Sequence, residues 1–427
     1  MRAHKPIKLI YAVSSEKLHE RIFSEIRDLQ QTWPNERCNL LVPERLKLSY
    51  ERRFLEYLAP EGGEAALLLA EVLSFNRFSL RVLDQGGRRR GAHLPQAHMV
   101  LILASILQSG GQDFRAFERL SAKSGFMQEL ARLIGDCRRY LATPADLRAV
   151  AEQLEATENP ERSLIDRLYD LALLLERYEE RLDDDVLEDA GQVIADAAEL
   201  LQAADADDRR LNWLAGTHIY ISGFGDTRDF TPQEYALLHA LAERCRSITL
   251  AVVADREPAP NEPAELGARP FQSGRQTLVT VREHFPEVQV EALSTTFDPE
   301  TYGVALAFAP QLATSRLRED PVAREVGEEP RYRLVYATNP ETEVDLLAAK
   351  IQELTETGAA RFRDIAVLPL DPAVYLPLLK ASFRVYGIPA YLDTPQALAG
   401  SPLRSLVLGI VNLARFGWEP DLCWTLL

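Results

Sequence analysis

Cysteine is scarce in this sequence, and neither cysteine nor histidine is arranged for metal binding. The four cysteines, Cys38, Cys137, Cys245 and Cys423, lie far apart and include no CxxC pair. This spacing argues against a zinc or iron–sulfur site built within this chain and against a disulfide framework. The seven histidines are scattered as well. We therefore expect small buried thiols and no metal site.

Long apolar runs are also missing. No run reaches the roughly 18 residues that a bilayer-spanning helix needs. The opening stretch, MRAHKPIKLIYAV, lacks the long apolar region and the cleavage site of a signal peptide. These absences predict a cytoplasmic protein without membrane association. The hydrophobic share of 46% and the charged share of 26% are typical of globular proteins.

Basic residues are outnumbered by acidic ones. The chain has 48 Lys and Arg against 64 Asp and Glu, a net charge of -16. This balance counts against broad, nonspecific binding of nucleic acid, because phosphate neutralisation needs clustered cations. A local basic groove is still compatible with it. The charge also fits a scaffold whose only ligand is another protein.

Four short apolar runs predict the inner strands of a parallel sheet: residues 7–13, 38–43, 218–224 and 247–254. Each is rich in β-branched or aromatic residues, as strands buried on both faces are. A helix with one apolar face is predicted over residues 15–31, after good N-cap residues. The order strand, helix, strand is that of a βαβ unit and indicates an α/β fold.

The pattern changes to helical periodicity over residues 86–205, where we predict no strand. We interpret this block as a helical insertion into one discontinuous α/β domain, formed by residues 1–85 and 206–330. Within that domain, residues 256–330 are rich in Pro, Glu and Arg and predict loops with short helices. A second α/β unit is predicted over residues 331–427.

In this second unit we predict three strands separated by helices: residues 331–337, 364–370 and a short strand within 387–393. The helix after the first strand should place Val344 and Ile351 on its apolar face. The last residues, DLCWTLL, look like an unfinished helix. This is the pattern expected of a fragment of a longer protein.

The turn after the first predicted strand is where a phosphate-binding loop would lie. The working pattern is GxxxxGK[ST], whose glycines let backbone N–H groups surround the phosphates and whose hydroxyl holds magnesium. Lys17 occupies the lysine position, but Tyr11 and Glu16 replace both glycines, and Leu18 replaces the hydroxyl residue. Side chains at the glycine positions restrict the turn, and Glu16 adds negative charge. The sequence predicts a degenerate nucleotide site.

The end of the third predicted strand should carry the other half of such a site. Two acids are needed there, one to hold Mg²⁺ and one to activate water, but Ser222 and Gly223 stand in their place. The segment ISGFGDT resembles the DEFQDT-type motif of superfamily 1 DNA helicases, with Phe224, Asp226 and Thr227 kept. The resemblance implies a P-loop NTPase-like parallel sheet of the superfamily 1 helicase kind. The second α/β unit would then begin a second RecA-like domain.

The resemblance narrows to one branch of that superfamily. The segment over residues 223–238, GF followed by FTPQEYALL, resembles the DGF and FTPQE signature of the AddB/RexB family, the B subunits of bacterial AddAB-type helicase–nucleases. Four other segments resemble segments of that family in the same order: residues 41–55, 72–83, 125–134 and 364–393. Together they cover most of the chain.

Membership of that family implies an ATP-dependent, heterodimeric enzyme that processes double-strand DNA breaks for homologous recombination, with an AddA-type motor subunit as partner. ATP and Mg²⁺ act in the family's complex, and the family's B subunit carries a nuclease domain and an iron–sulfur cluster in its C-terminal part. This chain has neither the cysteine spacing nor the acid cluster for these. We therefore expect no cofactor in this chain and no ATP hydrolysis by it.

A helicase-like domain without ATPase activity can still hold single-stranded DNA, by combining cations for phosphates with aromatic faces for bases. The candidate residues follow the predicted strands: Arg45, Lys47, Phe75, Asn76, Arg77, Phe224 and Phe230. In the family, this region is implicated in scanning the exiting strand for a recombination hotspot sequence. Core packing is the alternative role for Phe75 and Phe224.

Two other functions stay open from the sequence. A genuine ATPase with a divergent site would rely on Lys17 and Asp226. A purely structural scaffold would bind only its partner protein.

Overall fold

The computed structural model describes residues 7–59, 69–88, 92–94, 96–110, 113–117, 124–157, 159–185, 187–189, 191–205, 208–225, 229–258, 271–294, 335–392 and 401–417. The chain divides into two compact units, Met1–Val326 and Gly327–Leu427. Each unit has an apolar core of its own.

The described residues form eight strands, and six of them make one sheet. The strands are β1 Ile7–Ala12, β2 Arg37–Leu41, β3 Ala70–Leu73, β4 Ala92–Leu94, β5 Leu187–Asp189, β6 Thr217–Phe224, β7 Ser247–Val253 and β8 Gln289–Ser294. The sheet has the order β3-β2-β6-β7-β1-β8, and every pairing in it is parallel. The predicted α/β fold with a parallel sheet is confirmed.

The helices of the first unit are α1 Ser15–Thr32, α2 Lys47–Leu58, α3 Phe75–Gly86, α4 Gln96–Ser109, α5 Ser124–Arg139, α6 Pro144–Glu155, α7 Arg162–Asp185, α8 Val193–Ala203, α9 Pro232–Arg244 and α10 Gln272–His284. Those of the second unit are α11 Pro340–Glu356, α12 Pro372–Val385 and α13 Pro402–Phe416. Among the helices that the structure describes, none is long and apolar enough to cross a membrane.

The four predicted inner strands are confirmed as β1, β2, β6 and β7. Successive residues of a strand point to opposite faces. Accordingly Leu9 belongs to the core under one face of the sheet and Ile10 to the core under the other, and neither is exposed. Helices cover both faces, which explains why these strands are almost continuously apolar in sequence.

Other strand predictions for the first unit were wrong. Residues 256–330 contribute α10 and the edge strand β8 rather than only loops and short helices. The prediction of no strand within residues 86–205 also fails, because β4 and β5 pair in parallel there. Strands of three residues are too short to show a periodic pattern, so helical periodicity dominated the sequence around them.

The helical block has a separate apolar core. Leu103 of α4, Ile134 of α5 and Tyr178 of α7 are fully buried in it. In contrast, α8 buries Val193 and Leu201 in the core of the sheet. The domain boundaries given above stay a prediction.

The second unit is helical where it is described. Val344 and Ile351 of α11 pack against Leu379 and Phe383 of α12, as the helical periodicity predicted. Residues 364–370 and 387–392 do not form the predicted strands. A strand needs a hydrogen-bonded neighbour, and no strand forms among residues 335–392 and 401–417.

Candidate nucleic-acid interface

A cleft of about 870 Å³ lies at the carboxyl edge of the sheet. In parallel sheets the loops at this edge form the usual ligand site. One wall comes from the loops that follow the strands, through Arg45, Phe75 and Asn76 and the strand end at Phe224. The other wall comes from the helical block, through residues of α4, α5 and α7. The structure thus brings four of the predicted DNA-binding residues to one cleft.

The first half of the predicted nucleotide site has no room for a phosphate loop. Only Val13 and Ser14 separate the end of β1 from the start of α1. The Ser14 Oγ accepts a hydrogen bond from the Glu16 N–H at 3.2 Å, so one donor that a phosphate would need is already used. The backbone does not form a cradle of N–H groups at this turn.

The side chains near this turn point to the same conclusion. Lys17 is exposed and forms an ion pair with Glu20 on the same helix at 3.2 Å. Leu18 is buried in the core, and Tyr11 belongs to strand β1 itself and is buried as well. Leu18 has no hydroxyl to hold magnesium, and Tyr11 cannot supply the flexible backbone that glycine gives a phosphate loop. The residues present do not fit ATP and Mg²⁺.

The second half of the site is filled by protein. Ser222 is buried, and its Oγ is hydrogen-bonded to the Tyr50 hydroxyl at 3.0 Å. Gly223 has φ of +81°, and a Cβ atom there would lie 3.0 Å from Leu46 Cδ1 and 3.1 Å from Pro43 Cδ. A β-bulge in the pairing with β7 falls at these two residues. An acidic side chain at position 223 would therefore be strained and crowded.

A buried ion pair lies between the two halves, at the end of β7. The Arg275 guanidinium donates from Nε to Asp255 Oδ1 at 2.8 Å and from Nη2 to Oδ2 at 2.5 Å. Both side chains are almost fully buried. A Cβ atom at Gly274 would lie 1.9 Å from the Val253 carbonyl oxygen, so the first turn of α10 packs directly against the end of β7.

This ion pair was not predicted from the sequence. Asp255 follows a predicted strand almost directly, at the edge where ligand-binding acids are common. That position could have drawn attention to Asp255, but its partner Arg275 lies 20 residues away in a different element. Asp226, the acid that the sequence analysis assigned to the degenerate site, lies outside the described residues.

The three predicted aromatic residues form a buried cluster instead of an exposed platform. Phe75, Phe224 and Phe230 are 3%, 4% and 6% exposed. The rings of Phe75 and Phe224 meet edge to face at 5.3 Å, and those of Phe224 and Phe230 lie 5.1 Å apart. Rings packed in this way have no free face for a base. Their arrangement fits the alternative role, which is core packing under the floor of the cleft.

The predicted cations are exposed or half-buried, and two of them, Lys47 and Arg77, pair with acids. Arg77 forms an ion pair with Glu44 at 3.1 Å, with both side chains more than half exposed. Hydrogen bonds from Ser74 and then from Arg77 lower the pKa of Glu44, so this carboxylate stays charged. Lys47 lies 3.5 Å from Glu51. Exposed pairs of this kind contribute little stability and can be exchanged for a phosphate.

The wall from the helical block adds residues that were not predicted as site residues from the sequence. Arg132, Arg139 and Tyr140 line the cleft. Asp136 pairs with both arginines, at 3.0 Å and 3.3 Å. The side chain of Tyr140 is 61% exposed. The sequence signal was a run of basic and aromatic residues at the end of a predicted helix, which by itself is common on surfaces.

The cysteines do not fit an iron–sulfur cluster, which needs several cysteine ligands at one place. Cys38, Cys137 and Cys245 are buried singly, on β2, on α5 and at the end of α9. Burial raises the pKa of the Cys38 thiol to about 11, so it stays protonated. Cys423 lies outside the described residues.

Comparison with known proteins identifies the family. Residues 9–310 match the family model described as ADDB, N-terminal. Similar curated proteins include one from Geobacillus thermodenitrificans, 29% identical over 92% of this chain and 32% of its own length, and one from Bacillus velezensis, 27% identical over 89% and 31%. A protein of Bacillus subtilis is 26% identical over 89% of this chain and 31% of its own length.

These three proteins are named as the B subunit of an ATP-dependent helicase/deoxyribonuclease. The chain spans about a third of their length. The matched segment contains the whole six-stranded sheet except the first residues of β1, together with the helical block and both walls of the cleft. The chain therefore belongs to the AddB family and corresponds to its N-terminal, helicase-like region.

Proposed function

We propose that this chain is the N-terminal region of an AddB-type subunit and that it holds single-stranded DNA in the cleft at the carboxyl edge of the sheet. The carrying observation is the cleft itself, where Arg45 and Asn76 from the sheet edge face Arg132 and Arg139 from the helical block. Cations on both sides of a groove suit the backbone of a single strand. Glu44 and Asp136 also line the cleft, so we expect weak, salt-sensitive binding.

We further propose that the chain does not hydrolyse ATP. Three separate features support this: the two-residue turn before α1, the Tyr50–Ser222 hydrogen bond, and the Arg275–Asp255 pair at the end of β7. Each occupies space or donors that nucleotide and magnesium would need. A divergent ATPase is disfavoured because Lys17 is on an exposed helix face with Glu20.

The complex in which this region works is part of the same proposal. The family relatives are named as subunits of an ATP-dependent helicase/deoxyribonuclease. By analogy, an AddA-type subunit would supply the motor, ATP and Mg²⁺ would act there, and the complex would process double-strand breaks for homologous recombination in the cytoplasm. Scanning for a hotspot sequence would be the role of the strand held in the cleft.

The test combines binding and hydrolysis on the 427-residue chain. Anisotropy of a fluorescein-labelled (dT)20 strand is measured at several salt concentrations, for the wild type and for Arg45→Ala with Arg77→Ala. For single strands, the logarithm of the affinity falls linearly with the logarithm of the salt concentration. The slope is about -0.7 for each phosphate contact. We expect the double variant to bind more weakly and with a slope smaller by about 1.4.

Equal affinity and equal slope for the two proteins would remove the DNA contact from this edge of the sheet. Absence of binding by the wild type would favour the scaffold function. Mg²⁺-dependent ATP turnover that disappears in Lys17→Ala would establish the divergent ATPase.

A further inference from the structure

We infer that Tyr140 is the residue on which a base of the bound strand stacks, and that Gln233 is the residue that positions it. The inference rests on the proposed function of the cleft. Among the described residues that line the sheet side of the cleft, the aromatic rings are those of Phe75 and Phe224, and both are buried. Tyr140 lines the opposite wall and is 61% exposed. Stacking on an exposed ring is the usual sequence-tolerant contact to single strands.

The backbone places Tyr140 just beyond the end of α5. The Leu141 N–H donates to the Arg138 carbonyl at 3.0 Å, and the Ala142 N–H donates to the Cys137 carbonyl at 2.8 Å. These two bonds form a Schellman motif, which needs a left-handed residue directly before the final donor. Leu141 has φ of 56° and is the one non-glycine residue with positive φ in the described part of the chain.

Glycine is the usual residue at this position, and leucine there costs roughly 1–2 kcal/mol. Strain of this size persists where the surroundings hold the backbone in place. The helix therefore ends sharply, so that its last residue, Arg139, and the next residue, Tyr140, both line the cleft.

Hydrogen bonds from the Gln233 side chain hold this turn in place. Its side chain is 2% exposed, and its Nε2 donates to the Arg138 carbonyl at 2.8 Å and to the Gly191 carbonyl at 3.0 Å. Gln233 itself is fixed because it lies in the first turn of α9. A capping box there joins the Thr231 N–H to Glu234 Oε2 at 2.8 Å and the Glu234 N–H to Thr231 Oγ1 at 3.3 Å.

This arrangement gives the FTPQE segment a physical role. Thr231, Pro232 and Glu234 start the helix, and Gln233 reaches across to the helical block. The segment therefore connects the sheet edge to the wall that carries Tyr140. It contributes to strand binding by holding that wall in position.

The test measures (dT)20 affinity by anisotropy for four proteins: the wild type, Tyr140→Ala, Tyr140→Phe and Trp33→Ala. Stacking on one aromatic ring is worth about 1–3 kcal/mol per base, which corresponds to about a 5- to 150-fold weaker affinity for Tyr140→Ala. Tyr140→Phe keeps the ring and should bind like the wild type. Trp33 is a matched control, because it is 60% exposed but precedes β2, at the opposite edge of the sheet.

The positioning role of Gln233 is tested by a double-mutant cycle. Gln233→Ala should weaken binding in the wild-type background and have little further effect in the Tyr140→Ala background, because the two changes remove the same contact. Circular dichroism melting checks that each variant is folded at the assay temperature. Gln233→Met, which keeps the side-chain volume but not the donor, should behave like Gln233→Ala.

Three results separate the two proposals. If the wild type binds and Tyr140→Ala binds equally well, the stacking assignment is wrong while the proposed function stands. If Gln233→Ala weakens binding by the same factor in both backgrounds, its positioning role is wrong. If the wild type does not bind (dT)20, the proposed function falls and the assignment of Tyr140 falls with it.

Discussion

Replacing Gly223 with alanine tests the conclusion that the end of β6 cannot carry an acid. Gly223 has φ of +81°, a region that costs an L-residue about 1–2 kcal/mol. The new Cβ atom would also lie 3.0 Å from Leu46 Cδ1 and 3.1 Å from Pro43 Cδ, and overpacking of this kind typically costs about 1–3 kcal/mol. We expect Gly223→Ala to lower the free energy of unfolding by about 2–5 kcal/mol, measured by urea denaturation.

Gly87→Ala is the matched control for this measurement. Gly87 has a similar φ of +76°, but a Cβ atom there would meet only the flexible side chain of Arg210. The control should therefore cost about 1–2 kcal/mol from the backbone alone, and the difference between the two variants isolates the crowding. A Gly223→Ala variant as stable as the wild type would refute the reasoning. So would Mg²⁺-dependent ATP turnover by a variant that combines Ser222→Asp with Gly223→Glu.

Two further predictions concern buried charge. Arg275→Met leaves the carboxylate of Asp255 buried without its partner, and the free energy of unfolding should fall by about 3–5 kcal/mol; a loss below about 1 kcal/mol would contradict the description of this pair as buried. Burial, and then the nearby Arg53, lower the pKa of His19 from 6.5 to about 4. Because the folded protein disfavours the charged imidazole, His19 contributes stability that is complete above pH 6.5 and is lost as pH falls towards 4, by up to about 3 kcal/mol. Urea denaturation at several pH values should show a smaller loss over that range for His19→Phe, and equal losses would contradict the role of His19.

The parallel sheet could be predicted because its inner strands are buried on both faces. Strands such as β1 and β7 are short runs of apolar and β-branched residues, the pattern typical of parallel strands that are buried on both faces. The edge strand β8 carries polar residues, and β4 and β5 have three residues each, so none of them shows such a run. In the second unit, residues 364–370 have the composition of a strand. Leu368 and Leu370 are nevertheless 92% and 100% exposed. No strand among residues 335–392 and 401–417 pairs with this segment, and its composition alone does not reveal that.

For the nucleotide site too, features formed by residues close in sequence could be predicted, and contacts between distant residues could not. The loss of the phosphate loop could be predicted, because the replaced residues are close together in sequence. The contacts that fill the site could not be predicted, since Tyr50 and Ser222 lie 172 residues apart. The burial of Phe75, Phe224 and Phe230 could not be predicted for a related reason. A phenylalanine after a strand looks the same in sequence whether it packs under the loop or faces solvent.

The proposed function places a single DNA strand between the sheet edge and the end of α5. Photo-crosslinking tests it most directly: (dT)20 carrying 5-iodouracil at single positions is irradiated with the chain, and the crosslinked peptides are identified by mass spectrometry. We expect crosslinks within residues 43–47, 74–77 and 132–141, with Tyr140 among the modified residues. Crosslinks confined to peptides from the opposite edge of the sheet, such as the one containing Trp33, would contradict the proposed function.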